Sequence, residues 1–276
     1  MSETDRRPGW ERLWRHSYRL GFRWLLRGWR NGWKGARVGL ARLLIPLDPW
    51  RYYEMGKIAD EPFSGVNLDL SSPKLLASLL RAEGKGEWVA TDLFRWEVEQ
   101  WRWVDPSLRL EVEDGRTLSY GDATFDGAIC VSVIEHVAGE GDITVMAELF
   151  RVLKPGGVLH LTTNVSPVSR EIWRDERVWG EASDVVGGRV FLERHYSPED
   201  LAGRLLRDPW RPESQEWASE IDPSVQDRFY RGVPWSYLRG GLLSRRCPEN
   251  YRRSPEPSIL RDDRPGVVYV RLRKPA

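Results

Sequence analysis

The chain has 276 residues, 41% apolar and 30% charged, enough to bury one full core, and a net charge of only +1. Its two cysteines, Cys130 in an apolar run and Cys247 in an Arg-rich polar stretch, exclude a disulfide scaffold and a zinc site, and no metal is expected. No uncharged apolar run approaches the ~20 residues of a membrane-spanning helix and no secretory signal is evident, so the expectation is a cytoplasmic protein with the membrane surface left open.

The charge is unevenly placed. Residues 1–46 hold ten Arg and one Lys against Glu3, Asp5 and Glu11, a local +8 that leaves −7 for the remainder. Such asymmetry describes a basic arm on a mildly acidic globule. From Trp10 to Trp33, the residues Trp10, Trp14, Tyr18, Phe22, Leu25, Trp29 and Trp33 fall on one helical stripe, and Arg12, Arg15, Arg19, Arg23, Arg27 and Arg30 form a second. A helix with this distribution suits an anionic bilayer, because indole sits at the headgroup boundary and guanidinium pairs with phosphate. Packing of the Trp stripe on the protein's own domain accounts for it too, and nucleic acid is a third partner for the Arg stripe. Gly21, Gly28, Gly32 and Gly35 lower helix propensity, with a break expected near Gly28.

Pro46 to Gly65 reads as a linker that packs, with prolines early and four aromatics. Val66 to Leu70 is the first strand, and Ser72 with Pro73 is expected to cap the next helix, in which Leu75, Leu76, Leu79 and Leu80 face a sheet. Glu87 to Leu93 is a second strand carrying Asp92, about 20 residues after the first turn. Nucleotide-binding α/β folds place a carboxylate there to accept both ribose hydroxyls; a helix N-cap is the plainer role. Leu108 to Glu113 alternates as a third, edge-like strand.

Gly127 to Ile134 is a short apolar run with Ile129, Val131 and Val133, the composition of a central strand buried on both faces. Asp142 is expected to cap a helix whose Ile143, Met146, Leu149, Phe150 and Leu153 share one face, and Pro155, Gly156 and Gly157 stop it. Val158 to Thr163 then resumes β composition, completing a right-handed βαβ unit. Ser132 to His136 closes the central strand at its carboxyl end, where open α/β sheets bind ligands. Asn164 to Glu193 shows no sustained period and is expected to roof a pocket. Ser197 and Pro198 open a further helix, with His195 and Tyr196 just before it. Glu213 to Ser219 and Gly266 to Lys274 are the last strands. Between them residues 221–263 form an insertion with Phe229, Tyr230, Trp235, Tyr237 and Tyr251.

The run FDGAICVSVIEHV followed by ELFRVLKPGGVLHLTT resembles the second half of class I S-adenosylmethionine (SAM) methyltransferases of the small-molecule type, with a type 11-like domain. The resemblance covers Gly65 to about Leu206. It implies a Rossmann-like α/β sheet of seven strands, the last antiparallel, with an N-terminal helical arm: residues 1–64 as basic arm and lid-like linker, 65–276 as the methyltransferase domain. It implies SAM as cofactor, with Asp69 at its methionine end, Asp92 at the ribose, and Asp114 with Gly115 beside the adenine. Ser71, Pro73 and Leu75 stand where the family has glycines, and Ser71 still contributes to the cofactor loop. Ser132 and Glu135 are cofactor-positioning candidates by the same resemblance. His136 and His195 are candidate bases, with Tyr196 beside the latter, since an imidazole titrating near ~6.5 can take a proton from a nucleophile; a structural or cofactor-positioning role is the favoured alternative for His136, and capping or packing the alternative for His195 and Tyr196. Trp50, Tyr52, Tyr53 and Glu54 are lid candidates, and Asp126 is expected to order the strand start.

The expected activity is methyl transfer to a small-molecule, lipid or glycan acceptor, with an anionic membrane surface as a further partner through Trp10 to Trp33. The loss of the glycines motivates a different reading, an inactive methyltransferase-like scaffold that binds a partner. RNA methylation is disfavoured, because no Asn-Pro-Pro-Tyr-like motif is present. Oligomeric state is open at this level.

Overall fold

The computed structural model describes residues 7–30, 40, 43, 47–48, 50–176, 185–225 and 248–276. The expectations for Trp33, Gly32, Gly35, Phe229, Tyr230, Trp235, Tyr237 and Cys247, and for the side chains of Trp29 and Arg30, lie outside the described residues.

An eight-stranded sheet organises the chain, in the order β10-β9-β11-β5-β4-β1-β2-β3. Its strands are β1 (Val66–Leu70), β2 (Glu87–Asp92), β3 (Arg109–Val112), β4 (Phe125–Val131), β5 (Leu153–Val165), β9 (Arg211–Glu220), β10 (Tyr251–Ser254) and β11 (Gly266–Arg273). Strands β3, β2, β1, β4 and β5 run parallel, and β11 enters antiparallel between β5 and β9. Seven strands with the last one reversed match the expectation. The eighth, β10, comes from the insertion and pairs antiparallel with β9 at the edge.

Alternate residues along the strands feed two cores, one per sheet face. Trp88, Ala90, Ile129, Val131 and Tyr269 face α1 (Gly9–Arg30), α2 (Arg51–Ala59), α3 (Leu75–Ala82) and α4 (Arg95–Val104). Val89, Ala128, Cys130, Val268 and Val270 face α5 (Gly141–Val152) and the short α6 (Pro198–Asp200), which continues as a π turn over Leu201–Leu205. This period of two is why β4 lacks polar alternation: both of its faces are interior.

Several local expectations change. The face of α1 turned inward is not the Trp stripe but Leu13, His16, Ser17, Leu20 and Trp24, with Trp10 and Trp14 half-buried at its margin. Arg12, read as part of the Arg stripe, is buried, bonded to Asp60 at 3.0 Å, Glu83 at 2.9 Å and the Ala59 carbonyl at 2.7 Å. The helix continues past Gly28 to Arg30.

Ser72 does not cap α3; the cap position is Lys74, without a side-chain cap bond. Nor does Asp142 cap α5. It is fully buried and accepts from Arg194 (2.8 Å), Arg204 (2.7 Å) and the Tyr196 hydroxyl (2.9 Å), so tertiary partners have claimed the carboxylate. The Lys-Pro-Gly-Gly turn is drawn into β5, since Gly156 N–H bonds the Lys274 carbonyl and Lys274 N–H bonds that of Gly157, each at 2.9 Å. The stretch after Thr163 contains a small second sheet of β6 (Arg170–Arg174), β7 (Val185–Val186) and β8 (Arg189–His195), in the order β6-β8-β7. Ser197 behaves as expected: its Oγ accepts the Asp200 N–H at 3.1 Å. Asp126 does too, accepting from Val66 N–H and Lys154 Nζ at 2.8 Å each.

Candidate cofactor and acceptor site

The carboxyl ends of β1, β2 and β4 open into a cavity of about 480 Å³. The turn after β1 forms one wall through Leu70 to Leu75; Asp92, Leu93 and Phe94 follow from β2, and Ser132, Val133, His136 and Val137 from β4. Asp114, Gly115 and Arg116 close the far side, and Leu47, Asp48, Arg51 and Met55 close the near one. Six of the nine site residues read from the sequence therefore line one space: Ser71, Asp92, Asp114, Gly115, Ser132 and His136.

Ser71 and Ser132 end β1 and β4 with φ of +52° each, in the left-handed region that favours glycine. Their amides are used at once, Ser71 N–H on the Thr91 carbonyl (3.1 Å) and Ser132 N–H on that of Thr162 (3.0 Å). The backbone thus keeps a glycine-type turn although the side chain is serine.

Asp69 lies beneath this turn, fully buried. Its Oδ1 accepts the Ser72 N–H at 3.1 Å, whereas Oδ2 is buried without a hydrogen-bond partner. Burial pushes its carboxyl up to about 7, against the opposing field of Lys74. Glu135 is also fully buried, with Oε2 accepting from Thr163 Oγ1 at 3.0 Å and Oε1 unpartnered. Buried carboxylates with spare lone pairs suit a cationic ligand. Asp114 is held below the usual carboxylate range by hydrogen bonds from Arg116, whose Nε lies 3.0 Å away.

His136 and His195 are separated. His136 faces the cavity, and its Nδ1 lies 2.7 Å from the Leu192 carbonyl, so Nδ1 carries the proton. His195 is buried at the end of β8, bonded through Nε2 to Glu193 Oε1 at 2.8 Å, and is absent from the lining. Of the lid candidates, Tyr52, Tyr53 and Glu54 pack inward, and burial raises the Glu54 carboxyl against the pull of Arg51, 2.6 Å away.

Sequence reasoning missed Arg51, Lys74, Arg116 and Trp96, all cavity-lining. Lys74 is buried and donates to Asp92. The signal was there for two of them: Lys74 sits inside the glycine-replaced turn, and Arg116 follows Asp114-Gly115 directly.

SAM fits this donor set. Its ammonium and sulfonium are cations and its ribose offers a diol; the carboxylate of Asp92 lines the cavity, and Asp69 is buried beneath the turn after β1 that forms one wall. Residues 68–161 match the methyltransferase domain family model. No curated protein matches the sequence significantly. Among solved structures, the chain resembles an S-adenosylmethionine-dependent methyltransferase from Mesorhizobium loti, with 16% identity over 81% of this chain and 97% of that one, and a TM-score of 0.50. A candidate methyltransferase from Bacillus halodurans is similar at 16% identity, 81% and 98% coverage and a TM-score of 0.50. So is a chain in the complex between the Haloferax volcanii Trm112 methyltransferase activator and a candidate methyltransferase, at 16% identity, 82% and 91% coverage and a TM-score of 0.50. At such identities these structures speak for the fold. Together with the match of residues 68–161 to the methyltransferase domain model, they give the chain a Rossmann-like fold with a methyltransferase-type segment at its centre.

Proposed function

We propose that the cavity is the methyl-donor site and that the acceptor is a small amphiphile of lipid class, met at the surface of an anionic membrane. In this reading Asp69 serves the methionine end of the cofactor by ordering the turn after β1 through the Ser72 N–H, Asp92 serves the ribose, and Asp114 with Gly115 the adenine. The bound cofactor supplies an electrophilic methyl group, and the protein's task is alignment. His136, its Nδ1–H held by Leu192, presents Nε2 as the ring atom that takes a proton from an acceptor hydroxyl.

The observation that carries the acceptor class is Trp96, 61% exposed and yet part of the cavity lining. Trp103, seven residues on along α4, shares its face and is 50% exposed. On α1, Phe22 and Leu26 are each 56% exposed, with the exposed Arg19, Arg23 and Arg27 around them. Arg27 bonds the Trp103 carbonyl and brings the two helices together. Indoles and short apolar chains amid guanidiniums match a headgroup boundary, where each Arg contributes about 1 kcal/mol on an anionic leaflet. Nucleic acid would engage the Arg residues and leave Phe22 and Leu26 unexplained. No described helix is long and apolar enough to cross a membrane, so the contact is with its surface.

Sedimentation with phosphatidylglycerol vesicles tests the surface: salt-sensitive retention is expected, absent on phosphatidylcholine and lost in the double variant Phe22→Glu, Leu26→Glu. Retention unchanged in that variant would sink the surface assignment. Transfer of labelled methyl from SAM into the organic phase of lipid vesicles tests the acceptor, and label confined to water-soluble material would count against a lipid.

A further inference from the structure

Lys74 follows Pro73 in the turn after β1, and its side chain is one of the largest fully buried ones among the described residues, with the residue 1% exposed. The ammonium donates to Asp92 Oδ2, while Asp92 Oδ1 accepts the Phe94 N–H at 3.0 Å. Both oxygens of the ribose carboxylate thus have partners within the protein. A ribose diol gains most from a bare carboxylate, because charge-assisted hydrogen bonds are about twice as strong as neutral ones. A carboxylate neutralised by a neighbouring ammonium offers the same hydroxyls less.

We propose that Lys74 is an internal competitor for Asp92: it lowers the affinity of the site for adenosyl ligands and so sets how readily the spent donor leaves. This rests on the reading of the cavity as the donor site. An ammonium that yields to a ribose hydroxyl needs somewhere to go, since a buried charge stripped of its partner is strongly destabilising. Asp69 supplies the alternative. Its Oδ2 is buried without a partner, and the Lys74 charge already acts on its carboxyl. Removing the ammonium acts in one direction on both states: the free enzyme keeps Asp92 buried and unpaired, and the bound enzyme offers its ribose a full negative charge.

The test is calorimetric titration of S-adenosylhomocysteine into the wild type, Lys74→Met and Lys74→Arg, with thermal melts of each. Lys74→Met keeps the length and removes the charge. It is expected to bind about tenfold more tightly, the excess of a charge-assisted over a neutral hydrogen bond, and to melt lower when free but gain more on ligand addition. Lys74→Arg is expected to stay close to the wild type. Weaker or unchanged binding by folded Lys74→Met overturns the proposal. Should that variant fail to fold, Lys74→Gln, which retains a donor for Asp92, carries the same comparison. Asp92→Ala separates the two readings: binding lost there but unmoved in Lys74→Met removes only the competitor role. A folded wild type that binds neither S-adenosylhomocysteine nor SAM removes the donor site and this inference together.

Discussion

The hydroxyl of Ser72 accepts the backbone N–H of Val131 at 2.8 Å, across 59 residues of sequence. It also donates to the Leu70 carbonyl at 3.4 Å, so one side chain ties the turn after β1 to the end of β4. Both ligand-facing turns are held in register by this bond. Ser72→Ala leaves a buried amide unpaired, which is expected to cost about 1–3 kcal/mol in urea unfolding and to weaken S-adenosylhomocysteine binding. A stability loss with unchanged affinity would show that the turns do not depend on each other.

Ser71 pays for its left-handed backbone with a side chain that glycine would not have. Ser71→Gly relieves strain of about 1 kcal/mol, partly offset by the greater freedom of glycine in the unfolded chain. The expected outcome is a small rise in Tm and tighter S-adenosylhomocysteine binding, because the backbone is freed for closer approach. Weakened binding would mean that the hydroxyl itself touches the ligand.

Asp69 predicts a pH dependence. Its folded pKa, about 7, lies above its ordinary value of 3.8 because burial disfavours the charge. The unfolded chain therefore loses this proton first, and stability falls as pH rises from about 4 to 7. Asp69→Asn is expected to be more stable than the wild type at pH 8 by about 1–3 kcal/mol, with the difference vanishing near pH 4, and to bind SAM less well. Equal stabilities across that range in urea melts would refute the assignment.

His136 is expected to act on the acceptor rather than the donor. His136→Gln should leave S-adenosylhomocysteine affinity near the wild-type value while kcat falls by about 10²–10⁴ for a hydroxyl acceptor. Affinity lost in proportion to kcat would instead place the ring against the cofactor.

His16 joins α1 to the domain by a relay in which Nε2 bonds Ser78 Oγ at 2.8 Å and Ser78 donates to Asp105 Oδ2 at 2.6 Å. Burial lowers the His16 pKa from 6.5 to about 4, opposed by Asp105 and aided by Arg19 and Arg23. The unfolded chain takes up this proton first, so stability present above pH 6.5 is lost as pH falls toward 4, on the order of 2–3 kcal/mol. His16→Gln keeps a donor for Ser78 without the titration, and its urea stability should fall less over that interval.

The sequence by itself determined the elements whose signal is local. The β1 and β2 strands, the apolar β4, the helix α5 and the Ser197 cap each rest on a period or a spacing within about a dozen residues, and a strand that ends in Asp92 carries that acid to the cavity edge wherever the sheet goes. Only the tertiary structure decided which charges meet. Lys74 finds Asp92 18 residues away, Arg194 finds Asp142 across 52, and Arg12 is buried against Glu83 across 71. The same holds for the inward face of α1: the periodicity offers a Trp stripe, but the helix seats on Leu13, Leu20 and Trp24. The reason is physical. Backbone periodicity records which face a residue occupies, whereas a buried charge or a packed helix is stabilised by whatever partner the finished fold brings within reach, and no local pattern carries that information.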